Sequence, residues 1–206
     1  EEINNIKKIL GLQTNKEYKS LESLRYGRVM VLADQDEDGS HIKGLVFNMF
    51  HSLWNSLFTY DGFITSMLTP VIKCSKKTQT LSFYSVKDYE KWKEQNNGGA
   101  GWNVKYYKGL GTSTPKEAKD YFRELKIVNY SAKNEEDIKA IQLAFGKTEN
   151  SADMRKEWLS KYDRNLTLDY NQKLVPVQDF INRDLIHFST SDNIRSIPKL
   201  MDGLKP

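Results

Sequence analysis

Three aspartates, Asp34, Asp36 and Asp38, occupy alternate positions directly after the apolar run 28–33 (RVMVLA). In an extended chain alternate side chains point to one side, so the three carboxylates would converge. Carboxylates that close repel one another unless a hard divalent cation or a basic group neutralises them, and Mg²⁺ is the natural candidate. A solvated acidic turn is the alternative. We favour a metal site because α/β proteins place their sites at the carboxyl ends of strands.

The same residues copy the first six positions of an EF-hand calcium loop, Asp-x-Asp-x-Asp-Gly. The twelfth position of such a loop is a bidentate glutamate, whereas this chain has Leu45 there. An EF-hand loop also follows a helix, and the residues before Asp34 are typical of a strand. The pattern therefore argues against calcium sensing.

A basic, glycine-rich segment is the second candidate for chemistry. Residues 71–126 contain 12 Lys and Arg against 6 Asp and Glu, an excess larger than the net charge of +4 on the whole chain. Within it, five residues precede a predicted helix and could contact phosphate: Lys108, Gly109, Gly111, Thr112 and Ser113. The segment is not the nucleotide-binding sequence GxxxxGK[ST], and an ordinary turn remains the alternative. Together with the acidic turn, it indicates phosphodiester chemistry or nucleic-acid binding.

Two residues just after the acidic turn, His41 and Lys43, could also contact phosphate. His41 could instead support a carboxylate. For both residues a solvated side chain is an equally good interpretation, and the sequence leaves these alternatives open.

Local patterns predict the elements that must position these residues. Helices are predicted over 1–10, over a stretch capped by Ser40 with an apolar stripe from Ile42 to Leu57, and over 86–95, 115–125 and 135–145. Thr114 and Glu117 form a capping box for the helix that begins at Pro115. Strands are predicted over 28–33, 64–73, 81–85 and 103–107. This alternation predicts an α/β domain that ends near residue 147, followed by a partly helical connector over 148–206.

Composition excludes several classes of protein. One cysteine, Cys74, excludes an intramolecular disulfide and a cysteine zinc cluster, and it fits a reducing compartment and inert packing. No apolar run approaches the roughly 20 residues that cross a bilayer. The sequence starts at Glu1 without a methionine or a signal segment and stops at Pro206, which indicates a piece cut from a longer intracellular chain.

The segment 32–44 (LADQDEDGSHIKG) resembles the metal-binding signature of the TOPRIM domain of eukaryotic-type DNA topoisomerase II, a type IIA enzyme. Segments 2–12, 106–113 and 191–206 are similar to segments of that family, in the same order. The resemblance implies a Rossmann-like, mostly parallel sheet with flanking helices. It also implies a TOPRIM domain over 1–147 and, over 148–206, a connector that begins the winged-helix domain. Ala33 stands where a threonine is expected, and 162–173 is shorter and more divergent than usual.

The resemblance implies a two-metal DNA cleavage site with Mg²⁺, for which Mn²⁺ or Ca²⁺ can substitute. Asp34 and Asp36 would bind the metal, Asp38 would contribute, and Lys108 with the neighbouring glycines would face double-stranded DNA. The catalytic glutamate would lie before Glu1, and the nucleophilic tyrosine and the ATPase domain would lie elsewhere in a nuclear, homodimeric enzyme. The isolated chain would then be inactive. A TOPRIM domain of a nuclease or primase, or a noncatalytic DNA-binding module, is the alternative.

Overall fold

The computed structural model describes residues 1–14, 16–201 and 203. The helices are α1 (Glu2–Leu10), α2 (Glu37–Leu53), α3 (Asn55–Phe58), α4 (Val86–Gln95), α5 (Pro115–Arg123), α6 (Glu135–Phe145), α7 (Ser151–Ser160), α8 (Val177–Phe180) and α9 (Ile186–Met201). The strands are β1 (Val29–Val31), β2 (Ile64–Met67), β3 (Ile72–Lys76), β4 (Gln79–Phe83), β5 (Asn103–Tyr106), β6 (Ile127–Ser131) and β7 (Val175–Pro176). Short 3₁₀ turns cover Asn97–Gly99 and Leu110–Thr112, and a π-helical turn covers Ile181–Leu185. No helix of the described part is long and apolar enough to cross a membrane.

A four-stranded sheet with the order β1-β2-β6-β7 forms the centre of the fold. The pairs β1–β2 and β6–β7 are parallel, and β2–β6 is antiparallel. All four residues of β2 are buried, as a strand covered on both faces requires. The predicted α/β class, with a mostly parallel sheet and flanking helices, is confirmed.

A second sheet, with the order β4-β3-β5, is antiparallel throughout. It carries its own small core around Ile72, Cys74 and Tyr89, so the packing role predicted for Cys74 is confirmed. The single strand predicted over 64–73 is wrong, because the chain leaves the first sheet after Met67 and enters the second at Ile72. Pro70 lies in this crossing, and a proline has no N–H to continue a ladder.

Helix α2 begins earlier than its sequence pattern predicts. Asp36, not Ser40, is the N-cap: its backbone is extended and its carboxylate accepts a hydrogen bond from the Gly39 N–H at 2.8 Å. The predicted apolar stripe is also partly wrong, since Ile42 is 50% exposed whereas Phe47 is fully buried. The buried face of the helix is centred on Phe47 and Phe50, and Ile42 and Leu45 lie on its exposed side.

Sequence analysis did not predict β6 or β7. Strand β7 has only two residues, yet it pairs with β6 and brings the chain after residue 147 onto the main sheet. Trp158, Phe180 and Leu185 belong to the same apolar cluster as Phe47. The domain boundary near 147 stays a prediction, and side chains from both sides of it share one core.

Phe47→Ala should lower the free energy of unfolding by about 3 to 5 kcal/mol, because it removes a fully buried ring that packs against Phe58, Tyr130 and Phe180. Urea denaturation measures the loss. Ile42→Ala, on the exposed face of the same helix, is the control and should change stability by no more than about 0.5 kcal/mol. Equal losses in the two variants would contradict the buried face described here.

Candidate functional site

The acidic turn lies between the carboxyl end of β1 and the start of α2, at the edge where sites of α/β sheets occur. Asp34 is half-buried, and Asp36 and Asp38 are exposed. Gly39 allows the first turn of α2 to pack on the backbone of Asp34, because a Cβ there would lie 1.9 Å from the Asp34 carbonyl oxygen. The turn is therefore a tightly packed strand-to-helix connection.

Asp34 joins the acidic turn to the glycine-rich segment. The backbone N–H of Leu110 donates a hydrogen bond to Oδ1 of Asp34 at 2.6 Å. A Cβ on Gly109 would lie 2.6 Å from Oδ2 of the same carboxylate, so only a glycine permits this approach. The structure thus brings Asp34 and Gly109 together, as a joint site requires. Leu110 was not among the predicted site residues, because its contact with Asp34 is made by its backbone N–H and does not depend on its side chain.

The three aspartates do not form one cluster. Asp36 uses one carboxylate oxygen as the cap of α2, and Asp38 lies in the first turn of that helix. Within the described residues, no group of three or more His, Cys, Asp or Glu side chains could hold a metal ion. The predicted convergence of all three is wrong because the chain turns helical at Glu37, where side chains no longer alternate.

The donor set still fits Mg²⁺. This ion is usually bound through one or two carboxylates and keeps water or phosphate oxygens as its remaining ligands. Among the hydrogen bonds of the described residues, none reaches Oδ2 of Asp34 or Oδ2 of Asp36. Asp34 and Asp36 therefore each keep one carboxylate oxygen that could contact the ion.

The segment 108–113 presents several groups to solvent. Lys108, Gly111 and Thr112 are exposed, and the ion pairs of the described residues leave the Lys108 ammonium unpaired. Ser113 is half-buried, and its hydroxyl hydrogen-bonds the Tyr121 hydroxyl at 3.1 Å. The segment leads into α5, whose predicted capping box between Thr114 and Glu117 is confirmed.

Glu117 does more than cap α5. Its carboxylate accepts hydrogen bonds from the Thr114 N–H at 2.8 Å, the Lys105 ammonium at 3.1 Å and the Tyr107 hydroxyl, and it lies 3.9 Å from the Lys73 ammonium. Burial favours the neutral acid, but these donors outweigh it and hold the pKa of Glu117 at about 2. Burial and the adjacent Glu117 raise the pKa of Tyr107 well above its ordinary value. Glu117 is thus a charged anchor for the residues beside the glycine-rich segment.

Two lysines near this anchor lie over aromatic rings. The Lys73 ammonium is 4.6 Å from the centroid of the Tyr121 ring, and that of Lys105 is 4.5 Å from the Tyr107 ring. Sequence analysis did not name these four residues. The Lys-Tyr-Tyr-Lys order at 105–108 was a signal, but Lys73 comes from a different strand.

Two predicted DNA contacts lie elsewhere. The His41 ring stacks on Phe188 of α9 with centroids 4.0 Å apart, so its contact with DNA stays a prediction. Lys43 is only 4% exposed and its ammonium pairs with Asp184 at 3.4 Å. A buried, paired ammonium cannot reach a phosphate, so the prediction for Lys43 is corrected: this lysine is an internal counterion.

The family model described as the C-terminal associated domain of TOPRIM matches residues 67–193, more than half of the chain. The chain therefore belongs to this family. Over its whole length it is 49% identical to the DNA topoisomerase 2 of Arabidopsis thaliana and to that of Saccharomyces cerevisiae, and 48% identical to the DNA topoisomerase 2-alpha of Homo sapiens. It spans only 14 to 15% of the length of these relatives.

A solved structure of a topoisomerase II domain is also similar to this chain. The DNA-binding, cleavage and re-ligation domain of Plasmodium falciparum topoisomerase II matches with a TM-score of 0.88 at 40% identity, over 95% of this chain and 27% of that one. The resemblance to type II DNA topoisomerases that the sequence motifs indicated is confirmed.

Gly109→Ala should disrupt the contact between the loop and Asp34, because the new methyl group would overlap the carboxylate. We expect a loss of about 1 to 3 kcal/mol in unfolding free energy and faster hydrogen exchange of the Leu110 amide. Gly111→Ala is the matched control, since a Cβ there meets nothing within 4 Å. Unchanged exchange of Leu110 in Gly109→Ala would contradict the contact.

Stability should fall as the pH is lowered from about 4.5 to about 2, the range between the ordinary and the folded-state pKa of Glu117. The folded-state pKa is depressed, so the stabilisation is complete above this range and is lost as the carboxylate gains its proton. Glu117→Gln should flatten the fall, measured by urea denaturation at several pH values. Glu90→Gln, at an exposed position of α4, should leave it unchanged. A wild-type slope in Glu117→Gln would refute the assignment.

Proposed function

We propose that this chain is the Mg²⁺-binding part of the DNA cleavage and religation core of a type II DNA topoisomerase. Such an enzyme passes one duplex through a transient double-strand break in another. One observation carries the proposal: the hydrogen bond from Leu110 to Asp34 joins an acidic turn to a basic, glycine-rich loop. It occurs in a chain that is about half identical, over its full length, to proteins named DNA topoisomerase 2.

In this proposal Asp34 and Asp36 hold the cation, and Asp38 adds negative charge at the start of α2. Mg²⁺, when bound, stabilises the charge that develops on the phosphate and on the leaving 3′ oxygen; a two-metal site is expected, and Mn²⁺ or Ca²⁺ could substitute. The Leu110 N–H fixes the orientation of the Asp34 carboxylate. The missing side chain of Gly109 keeps the loop close to it.

Lys108 and the exposed Gly111 and Thr112 would face the phosphates of double-stranded DNA. Lys73 and Lys105, held by Glu117, would add positive potential beside them. Contacts of this kind position a duplex without reading its sequence. The loop therefore supplies affinity and orientation, and the acidic turn supplies the cation site.

We infer that the rest of the reaction depends on other parts of a longer protein. The resemblance implies a glutamate before Glu1 and a tyrosine after Pro206 that attacks the DNA phosphate. ATP would be used by a separate domain of a nuclear homodimer. The division into a TOPRIM domain over 1–147 and a connector over 148–206 belongs to the same proposal, which expects no turnover by the chain alone.

Substitutions at Asp34 and Lys108 should give opposite results. Asp34→Asn keeps an acceptor for the Leu110 N–H but loses the charge, so the amides of residues 34–38 should lose their response to Mg²⁺ in an NMR titration. Asp34→Ala in the full-length enzyme should reduce DNA cleavage by at least about 100-fold and leave DNA affinity nearly unchanged. Lys108→Ala should keep the Mg²⁺ response, weaken DNA binding and reduce its salt slope by about 1.

Lys139→Ala is the control for Lys108→Ala, because Lys139 is exposed on α6 and pairs with Glu135. Normal Mg²⁺-dependent cleavage by Asp34→Ala would contradict the assignment of Asp34 as a Mg²⁺ ligand. DNA binding by the wild type with no localised Mg²⁺ response would favour a noncatalytic DNA-binding module. A full-length protein with no tyrosine-bearing winged helix would favour a nuclease or primase.

A further inference from the structure

One buried polar cluster contacts the start of α2, next to the acidic turn. At its centre is Asp184, on the π-helical turn between α8 and α9. Its carboxylate accepts hydrogen bonds from the Ser40 hydroxyl at 2.9 Å, from the Lys43 ammonium at 3.4 Å and from the Tyr170 hydroxyl. Ser40 and Lys43 are 2% and 4% exposed. The donors surround one carboxylate that is itself largely shielded from water.

Two of these donors, Ser40 and Lys43, lie on α2 and connect Asp184 to the start of that helix. The Ser40 hydroxyl also lies 3.2 Å from the carbonyl oxygen of Asp36. The Ser40 hydroxyl therefore lies between the carboxylate of Asp184 and the backbone of Asp36.

The contacts around Asp184 restrict the geometry of the cluster. Burial and the charge of Asp184 raise the pKa of Tyr170 well above its ordinary value, so this hydroxyl stays a proton donor. The Lys43 ammonium lies 5.7 Å from the Tyr170 ring centroid and 5.5 Å from that of Phe180. A buried ion pair adds little net stability, but it penalises every arrangement that leaves either charge unpaired. The cluster therefore favours one placement of α2 relative to the π-helical turn.

The π-helical turn is the element that places Asp184. Single π turns inside helices are rare and occur frequently at functional sites. Here the turn covers Ile181–Leu185, with α8 before it and α9 after it. Ile181 and Leu185 point into the main core, so the backbone that carries Asp184 is anchored on both sides of it.

We propose that Asp184 is a positioning residue for the acidic turn: through Ser40 and Lys43 it fixes the start of α2 and thereby the carboxylates of Asp34 and Asp36. This rests on the proposed function, in which those two carboxylates hold Mg²⁺. Residues that orient metal ligands typically contribute 10- to 100-fold to metal affinity. Asp184 itself has its oxygens occupied by protein donors and is not a ligand.

Asp184→Asn should weaken Mg²⁺ binding by about 10-fold or more, measured on the chain by NMR titration of the amides of residues 34–38. The hydrogen exchange of the Gly39 and Ser40 amides, which bond to Asp36, should also accelerate. Asp179→Asn is the matched control: it removes the same charge one residue before Phe180, where Asp179 pairs with Arg183 at the surface. This control should change neither quantity. A wild-type Mg²⁺ affinity and wild-type exchange in Asp184→Asn would overturn the proposal.

Ser40→Ala keeps the Lys43–Asp184 ion pair, so this variant tests the positioning role of Asp184 if Asp184→Asn does not fold. It should weaken Mg²⁺ binding several-fold and accelerate exchange of the Gly39 amide, with little change in the unfolding midpoint. Absence of both effects would count against positioning by Asp184. If the wild type shows no localised Mg²⁺ response, the proposed metal site fails; faster Gly39 exchange in Asp184→Asn would still support positioning of the turn.

Discussion

The hydrogen bond from the Leu110 N–H to the Asp34 carboxylate holds the candidate site together. Its two partners are 76 residues apart in the sequence and follow strands of two different sheets, β1 and β5. A half-buried carboxylate needs hydrogen-bond donors, and the backbone of the loop supplies one through the Leu110 N–H. The absence of a side chain at Gly109 is what lets the two segments meet. The net charge of +4 conceals these two poles of opposite sign.

Two further carboxylates organise the surroundings in the same way. At the start of α5, Glu117 contacts Lys73, Lys105 and Tyr107. Near the start of α2, Asp184 contacts Ser40, Lys43 and Tyr170. Each carboxylate accepts hydrogen bonds from several donors that converge on it. The acidic turn is therefore held at two points. Leu110 bonds the side chain of Asp34, and Asp184 bonds Ser40 at the start of α2.

Sequence patterns predicted the features that depend on near neighbours. The capping box of Thr114 and Glu117 and the bounds of α4 and α6 follow from residues a few positions apart, and the structure agrees with them. Predictions failed where distant partners decide. The local sequence around Lys43 is that of a surface lysine, and its partner Asp184 lies 141 residues further along the chain. Strand β7 is too short to show a pattern, and only its pairing with β6 makes it a strand.

The arrangement also explains why an acidic turn and a basic loop have to lie side by side for the proposed chemistry. A DNA phosphate approaching Asp34 and Asp36 would meet like charge, and that repulsion rises as water is excluded. A divalent cation held by the two carboxylates would neutralise their charge, and Lys108 offers positive charge that no ion pair of the described residues neutralises. Neither pole alone would attract the phosphate and also stabilise charge developing on it. In the proposed function, the short contact between Leu110 and Asp34 would link duplex binding to the cation site, which separate patches on one surface would not achieve.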